Sequence, residues 1–123
     1  MKGSEAMCPI SILHIDDSLV FQDVLSRFLE ARMPDCRITG TARSRAEALT
    51  LGMRLQPDLV VCDLSMPGLS DLLPQLRALL PDTRIVGLSL FPRYNWDGVD
   101  IYVSKSDLLL ALPRVIQRLF QSA

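Results

Sequence analysis

The sequence lacks the features of a polyanion binder, a membrane protein or a disulfide scaffold. It has no basic block: 13 Lys and Arg stand against 14 Asp and Glu, for a formal charge of -1. A protein that neutralises nucleic-acid phosphates shows a basic face or stripe, so no direct nucleic-acid contact is expected. The longest apolar stretches are too short to span a bilayer, and Met1 to Cys8 holds no apolar run of the kind that forms a secretory signal. No membrane partner is expected, and the expected location is cytoplasmic. Cysteine is scarce: Cys8, Cys36 and Cys62 are widely spaced and make neither a CxxC pair nor a zinc pattern with the single histidine, His14. They are expected as reduced thiols, with Cys62 filling space in an apolar run. Low-complexity tracts and a Walker-type phosphate loop are also missing.

What is present suits one folded unit. The 123 residues are 49% hydrophobic and 22% charged, enough for a real core and too short for a second domain. Residues 1–9 read as an N-terminal extension and 10–121 as the domain. The run Ile10 to Ile15 is β-branched and ends at two acids, as expected of a buried strand. Ser18 is placed to cap a helix whose apolar residues, from Leu19 to Leu29, recur at helical spacing up to Pro34. Arg37 to Ala42 reads as a second strand, and Ser44 with Glu47 as a capping box opening a second helix that closes near Pro57. Leu59 to Cys62 is a third strand ending at Asp63, followed by a Met66-Pro67-Gly68 turn and a helix over 69–80, with Pro74 expected about the first turn. Arg84 to Leu88 forms a fourth strand ending at Ser89. Ile101 to Val103 forms a fifth ending near Lys105, with Ser106 expected to cap a last helix through Phe120.

This alternation predicts an α/β fold: a doubly wound, five-stranded parallel sheet with helices on both faces. In such sheets the site lies outside the carboxyl ends of the strands. Asp16, Asp17, Asp63, Ser89 and Lys105 all stand at strand ends and can converge there. Three close carboxylates repel unless a cation sits among them. A hard divalent ion such as magnesium, which takes carboxylate and phosphate oxygens, answers that repulsion. Lys105 and Ser89 suit phosphoryl oxygens on a carboxylate nucleophile. Taken singly each residue has a plainer reading: acids favoured by a helix dipole, a solvated lysine, a capping serine. Their joint order along the chain favours the site.

The ordered set Asp16-Asp17, Asp63-Leu64-Ser65-Met66-Pro67, Ser89 and Tyr102 to Lys105 resembles the response-regulator receiver domains of two-component signalling, of chemotaxis-regulator type. The resemblance spans essentially the whole chain and implies a flavodoxin-like receiver fold over residues 10–121. It further implies that Asp63 is the phosphoacceptor, and that Asp17, Asp63 and the Ser65 carbonyl ligate Mg2+, with Asp16 acting through water. Ser89 and Lys105 would bind the phosphoryl group, and Ser89 with Tyr102 would form the switch. The implied partners are a histidine kinase or phosphotransfer protein and a downstream effector domain or protein. The only enzymatic activity implied is self-directed phosphoryl transfer and autodephosphorylation.

Several positions depart from the family pattern. Asp71 stands where glycine is common, Leu90 where a small residue usually follows the serine, and Ser106 where proline often follows the lysine. Leu90 is expected to crowd the phosphoryl oxygens and slow the chemistry. The short, poorly helical stretch from Pro92 to Gly98 predicts a shortened or missing fourth helix. The alternative function is a receiver-like interaction module that does not depend on phosphorylation. A metal-dependent phosphohydrolase is disfavoured, because Ser65 stands where one large phosphatase class has a second acid.

Overall fold

Each strand carries apolar side chains to both faces, and that requires cover on both faces. A computed structural model of the protein describes residues 9–89 and 98–120. It contains β1 (Ile10–Ile15), α1 (Leu19–Arg32), β2 (Cys36–Ala42), α2 (Arg45–Leu55), β3 (Leu59–Asp63), α3 (Leu69–Leu79), β4 (Arg84–Ser89), β5 (Ile101–Ser104), a 3-10 turn (Lys105–Asp107) and α4 (Leu108–Phe120). All strand pairs are parallel, in the order β2-β1-β3-β4-β5. The doubly wound sheet expected from the sequence is present.

Strand alternation sorts the core into two layers. Leu13, Ile15, Val60, Cys62 and Ile85 pack with Leu72, Leu73 and Leu76 of α3 and Ala48 of α2. Ile12, Leu59, Val61, Val86 and Leu88 pack with Leu25 and Leu29 of α1 and Leu112 and Ile116 of α4. Every residue of β3 is buried. Gly87 on β4 leaves room for Leu64 just past β3: a Cβ there would lie 2.9 Å from Leu64 Cδ1.

Local chemistry sets most helix ends. Ser18 Oγ accepts from Phe21 N–H at 3.2 Å and Ser44 Oγ from Glu47 N–H at 3.2 Å. Glu47 reaches back to the Arg43 N–H at 2.8 Å, one residue earlier than the usual partner in a capping box. The turn after β3 ends at Gly68, whose φ of +79° is easily adopted without a Cβ. Arg77, on α3, donates to the carbonyls of Pro81, Thr83 and Gly98 and to Asp100 Oδ2, tying the ends of β4 and β5 together.

Some expectations shift. Pro74 lies in the second turn of α3 rather than the first. Its missing N–H removes the helical donor to the carbonyl of Ser70, an exposed residue. Asp71 lies in the first turn of α3, within the helix expected from the sequence, and is exposed 3.7 Å from Arg45 Nη1. Ser106 sits inside the 3-10 turn, its hydroxyl 2.9 Å from that of Ser104, so it is not the cap of α4. The described peptide bonds, Lys105–Ser106 included, are trans. Leu90 and the stretch expected to replace a helix, 92–97, lie outside the described residues. Gly98 is in a turn. No described helix is long and apolar enough to cross a membrane.

Candidate functional site

The sheet register brings the candidate residues to one edge. Asp16 follows β1 directly, Asp63 ends β3, and Asp63 pairs with Leu88, so Ser89 is the next residue outward on β4. Ser89 pairs in turn with Ser104, which delivers Lys105. Carboxylate oxygens of Asp16, Asp17 and Asp63 all lie within 4.8 Å of one another.

Each carboxylate is held differently. Asp16 is fully buried; its Oδ1 accepts from Ser18 N–H at 2.9 Å and its backbone carbonyl accepts from Gln22 Nε2 at 2.7 Å. Asp63 is 4% exposed. Its Oδ1 accepts from the N–H and hydroxyl of Ser65 at 2.9 and 2.7 Å, and its Oδ2 accepts from Lys105 Nζ at 3.2 Å. Asp17 is exposed. Lys105 Nζ also lies 3.0 Å from Asp16 Oδ2. That contact is an ion pair without hydrogen-bonding direction, because Asp16 Oδ2 has no hydrogen-bond partner among the described residues.

The charges respond to these neighbours. Burial alone would raise the Asp16 carboxyl, but His14, the Ser18 N–H and Lys105 outweigh it and hold the group below its ordinary value. Burial would lower the Lys105 ammonium, and the carboxylates of Asp16 and Asp63 reverse this and raise it. Cys62, next to Asp63 in sequence but inside the core, has its thiol pushed up to about 12 by burial and then by the Asp63 charge. It is an inert filler.

The donor set fits a hard divalent cation. Three carboxylates converge, two of them on one ammonium, and a buried carboxylate oxygen lacks a hydrogen bond among the described residues. Oxygen ligands of this kind suit magnesium. Tyr102 is half-buried and packs against the core layer on the α2 and α3 side. Two residues beside the site were not singled out by the sequence pattern. His14 is fully buried with Nε2 3.7 Å from Asp16 Oδ2, and Phe21 lies under the Lys105 ammonium, 4.6 Å from ring centroid to Nζ. Strand alternation is the signal that could have found His14, since residues 14 and 16 share a face.

The comparisons with known proteins bear on the family and the fold. The sequence model for the response regulator receiver domain matches residues 12–96. A protein-glutamate methylesterase/protein-glutamine glutaminase of Rhodopseudomonas palustris is 33% identical over 89 residues, covering 71% of this chain and 23% of that protein. One from Nitrobacter winogradskyi is 34% identical, covering 71% and 21%. The chain thus spans under a quarter of the length of these relatives. Among solved structures, the response regulator domain of Thermotoga maritima CheB superposes with a TM-score of 0.73 at 22% identity, covering 92% of this chain and 95% of that one. The non-phosphorylated receiver domain of Escherichia coli RcsB gives 0.79 at 18% identity, covering 90% and 92%. Because the family model matches residues 12–96, more than half of the chain, the chain belongs to the response regulator receiver domain family.

Proposed function

We propose that this receiver is a phosphoacceptor switch that takes a phosphoryl group on Asp63 from a histidine kinase or phosphotransfer protein. The observation that carries this reading is the Lys105 ammonium shared between Asp16 and Asp63 beside a third carboxylate. An Asp63 oxygen attacks the phosphorus of a phosphohistidine. The P–N bond breaks, its electron pair returns to the imidazole nitrogen, and an acyl phosphate forms on Asp63. Water later attacks the same phosphorus and restores the carboxylate with release of inorganic phosphate. Asp17, Asp63 and the Ser65 carbonyl would hold Mg2+, with Asp16 acting through water. When bound, the metal offsets charge on the phosphoryl oxygens.

The protein's own groups do the rest. The Ser65 N–H and hydroxyl fix Asp63 Oδ1, which orients the carboxylate. Lys105 and Ser89 take the new oxygens as they arrive. Ser89 and Tyr102 form the switch that couples this to a partner surface. The output is a downstream effector domain or protein, in the cytoplasm. Intact mass after incubation with acetyl phosphate and Mg2+ tests the reading. A gain of one phosphate is expected for the natural sequence and none for Asp63→Asn. No gain in the natural sequence would favour a module that works without phosphorylation, and a gain in the variant would misplace the acceptor.

A further inference from the structure

His14 has no role in the chemistry above, yet it occupies an expensive position. It is fully buried inside β1, and neither ring nitrogen has a hydrogen-bond partner among the described residues. Burying polar nitrogens without partners costs free energy, and nearly all such groups in native proteins are paired. Its surroundings show which partner it is near. Nε2 lies 3.7 Å from Asp16 Oδ2, the other buried polar atom of this region without a hydrogen bond. That gap is roughly 0.7 Å longer than a good N–H···O bond. The imidazole meets the Phe21 ring edge-on, with centroids 5.8 Å apart and planes at 65°. The same Phe21 ring carries Lys105 Nζ at 4.6 Å, and that ammonium is 3.0 Å from Asp16 Oδ2.

We propose that His14 is a positioning residue that takes over Asp16 Oδ2 when Lys105 turns to the phosphorylated Asp63. The inference rests on the phosphoacceptor reading. In the unphosphorylated protein Lys105 divides its charge between Asp16 and Asp63. A phosphoryl group on Asp63 adds oxygens that draw the ammonium toward them. Asp16 Oδ2 then loses its direct ionic contact inside the fold, where the charge of a bound metal reaches Asp16 only through water. His14, moving by less than a bond length, donates Nε2–H to that oxygen, and two unmet polar atoms satisfy each other. Phe21 touches both actors, so departure of the ammonium from its face and approach of the imidazole at its edge occur around one ring.

The sequence contains a single histidine, so the imidazole 15N signals of uniformly labelled protein report His14 alone. They are recorded in Mg2+ before and after addition of beryllofluoride as the phosphoryl mimic. The expected result is a proton on Nε2 whose resonance moves downfield and resists exchange once the mimic binds. Imidazole signals that stay in place while the rest of the site responds, or an Nε2 without a proton in the bound state, overturn the proposal. Two variants add an independent arm. His14→Leu removes both orphaned nitrogens, so the urea midpoint of the unphosphorylated protein should rise while phosphorylation by acetyl phosphate slows about tenfold. His14→Gln, which keeps a nitrogen donor, should recover most of the rate. Phosphorylation of His14→Leu at the natural rate, or a rate loss that merely follows a stability loss, counts against a positioning role. If the natural protein gains no phosphate at all, the phosphoacceptor reading fails and this inference with it. If it gains phosphate and the His14 signals do not respond, only this inference fails.

Discussion

Lys105→Met deletes the ammonium while keeping most of the apolar stem, and its effect can be worked from the contacts. Nζ lies 3.0 Å from Asp16 Oδ2 and 3.2 Å from Asp63 Oδ2, with the lysine side chain 22% exposed and the carboxylates 0% and 6%. A unit pair at 4 Å is worth about 4 kcal/mol at an effective dielectric near 20, and desolvation cancels much of it. Removing one partner of a buried pair typically costs about 3–5 kcal/mol, because the remaining charge is stranded. Partial exposure of the lysine places the expected loss in metal-free buffer at about 3 kcal/mol. The same deletion removes the cation with which magnesium competes, so magnesium should bind the variant about tenfold more tightly, equivalent to about 1.4 kcal/mol. With magnesium well above Kd for both proteins, the stability deficit should therefore shrink to about half. Urea unfolding with and without Mg2+, together with calorimetric titration of the metal, measures both quantities. Equal deficits in the two buffers, or unchanged magnesium affinity, would show that ammonium and metal do not contend for the same carboxylates.

Other outcomes follow from the same structure. Asp16, whose folded value lies below its ordinary 3.8, contributes stability above that pH that is lost as pH falls through the folded value. Lys105, raised above 10.5, contributes stability below that pH that is lost as pH rises through its folded value. Metal-free urea midpoints from acid to alkaline pH should thus fall at both ends, and Lys105→Met should flatten the alkaline limb. Gly87→Ala would put a Cβ 2.9 Å from buried Leu64 and should cost about 1–3 kcal/mol in urea unfolding, part of it recovered by adding Leu64→Ala. The Cys62 thiol, at about 12 and fully buried, should not react with Ellman's reagent at pH 8 until the protein is unfolded. Reaction in the folded state would refute its assignment as core.

The sequence alone determined the features that depend on near neighbours. Strand runs, the caps at Ser18 and Ser44, the Gly68 turn and the acids at strand ends all arise from periodicity and residue type within a few positions. The parallel order followed because alternating strands and helices admit few topologies. Helix starts set by packing were less legible. The start of α3 at Leu69 was as expected, which already puts Pro74, five residues on, in its second turn; Ser106 joined a 3-10 turn and α4 began at Leu108 instead. Only the tertiary structure decided that Lys105, 42 residues from Asp63, touches Asp16 as well. Strand alternation puts His14 on the face of that carboxylate, but the fold alone set Phe21 against both His14 and Lys105. Those contacts join side chains from β1, α1, β3 and the turn after β5. They are long-range packing outcomes, and no local pattern encodes which buried polar atom is left to pair with which.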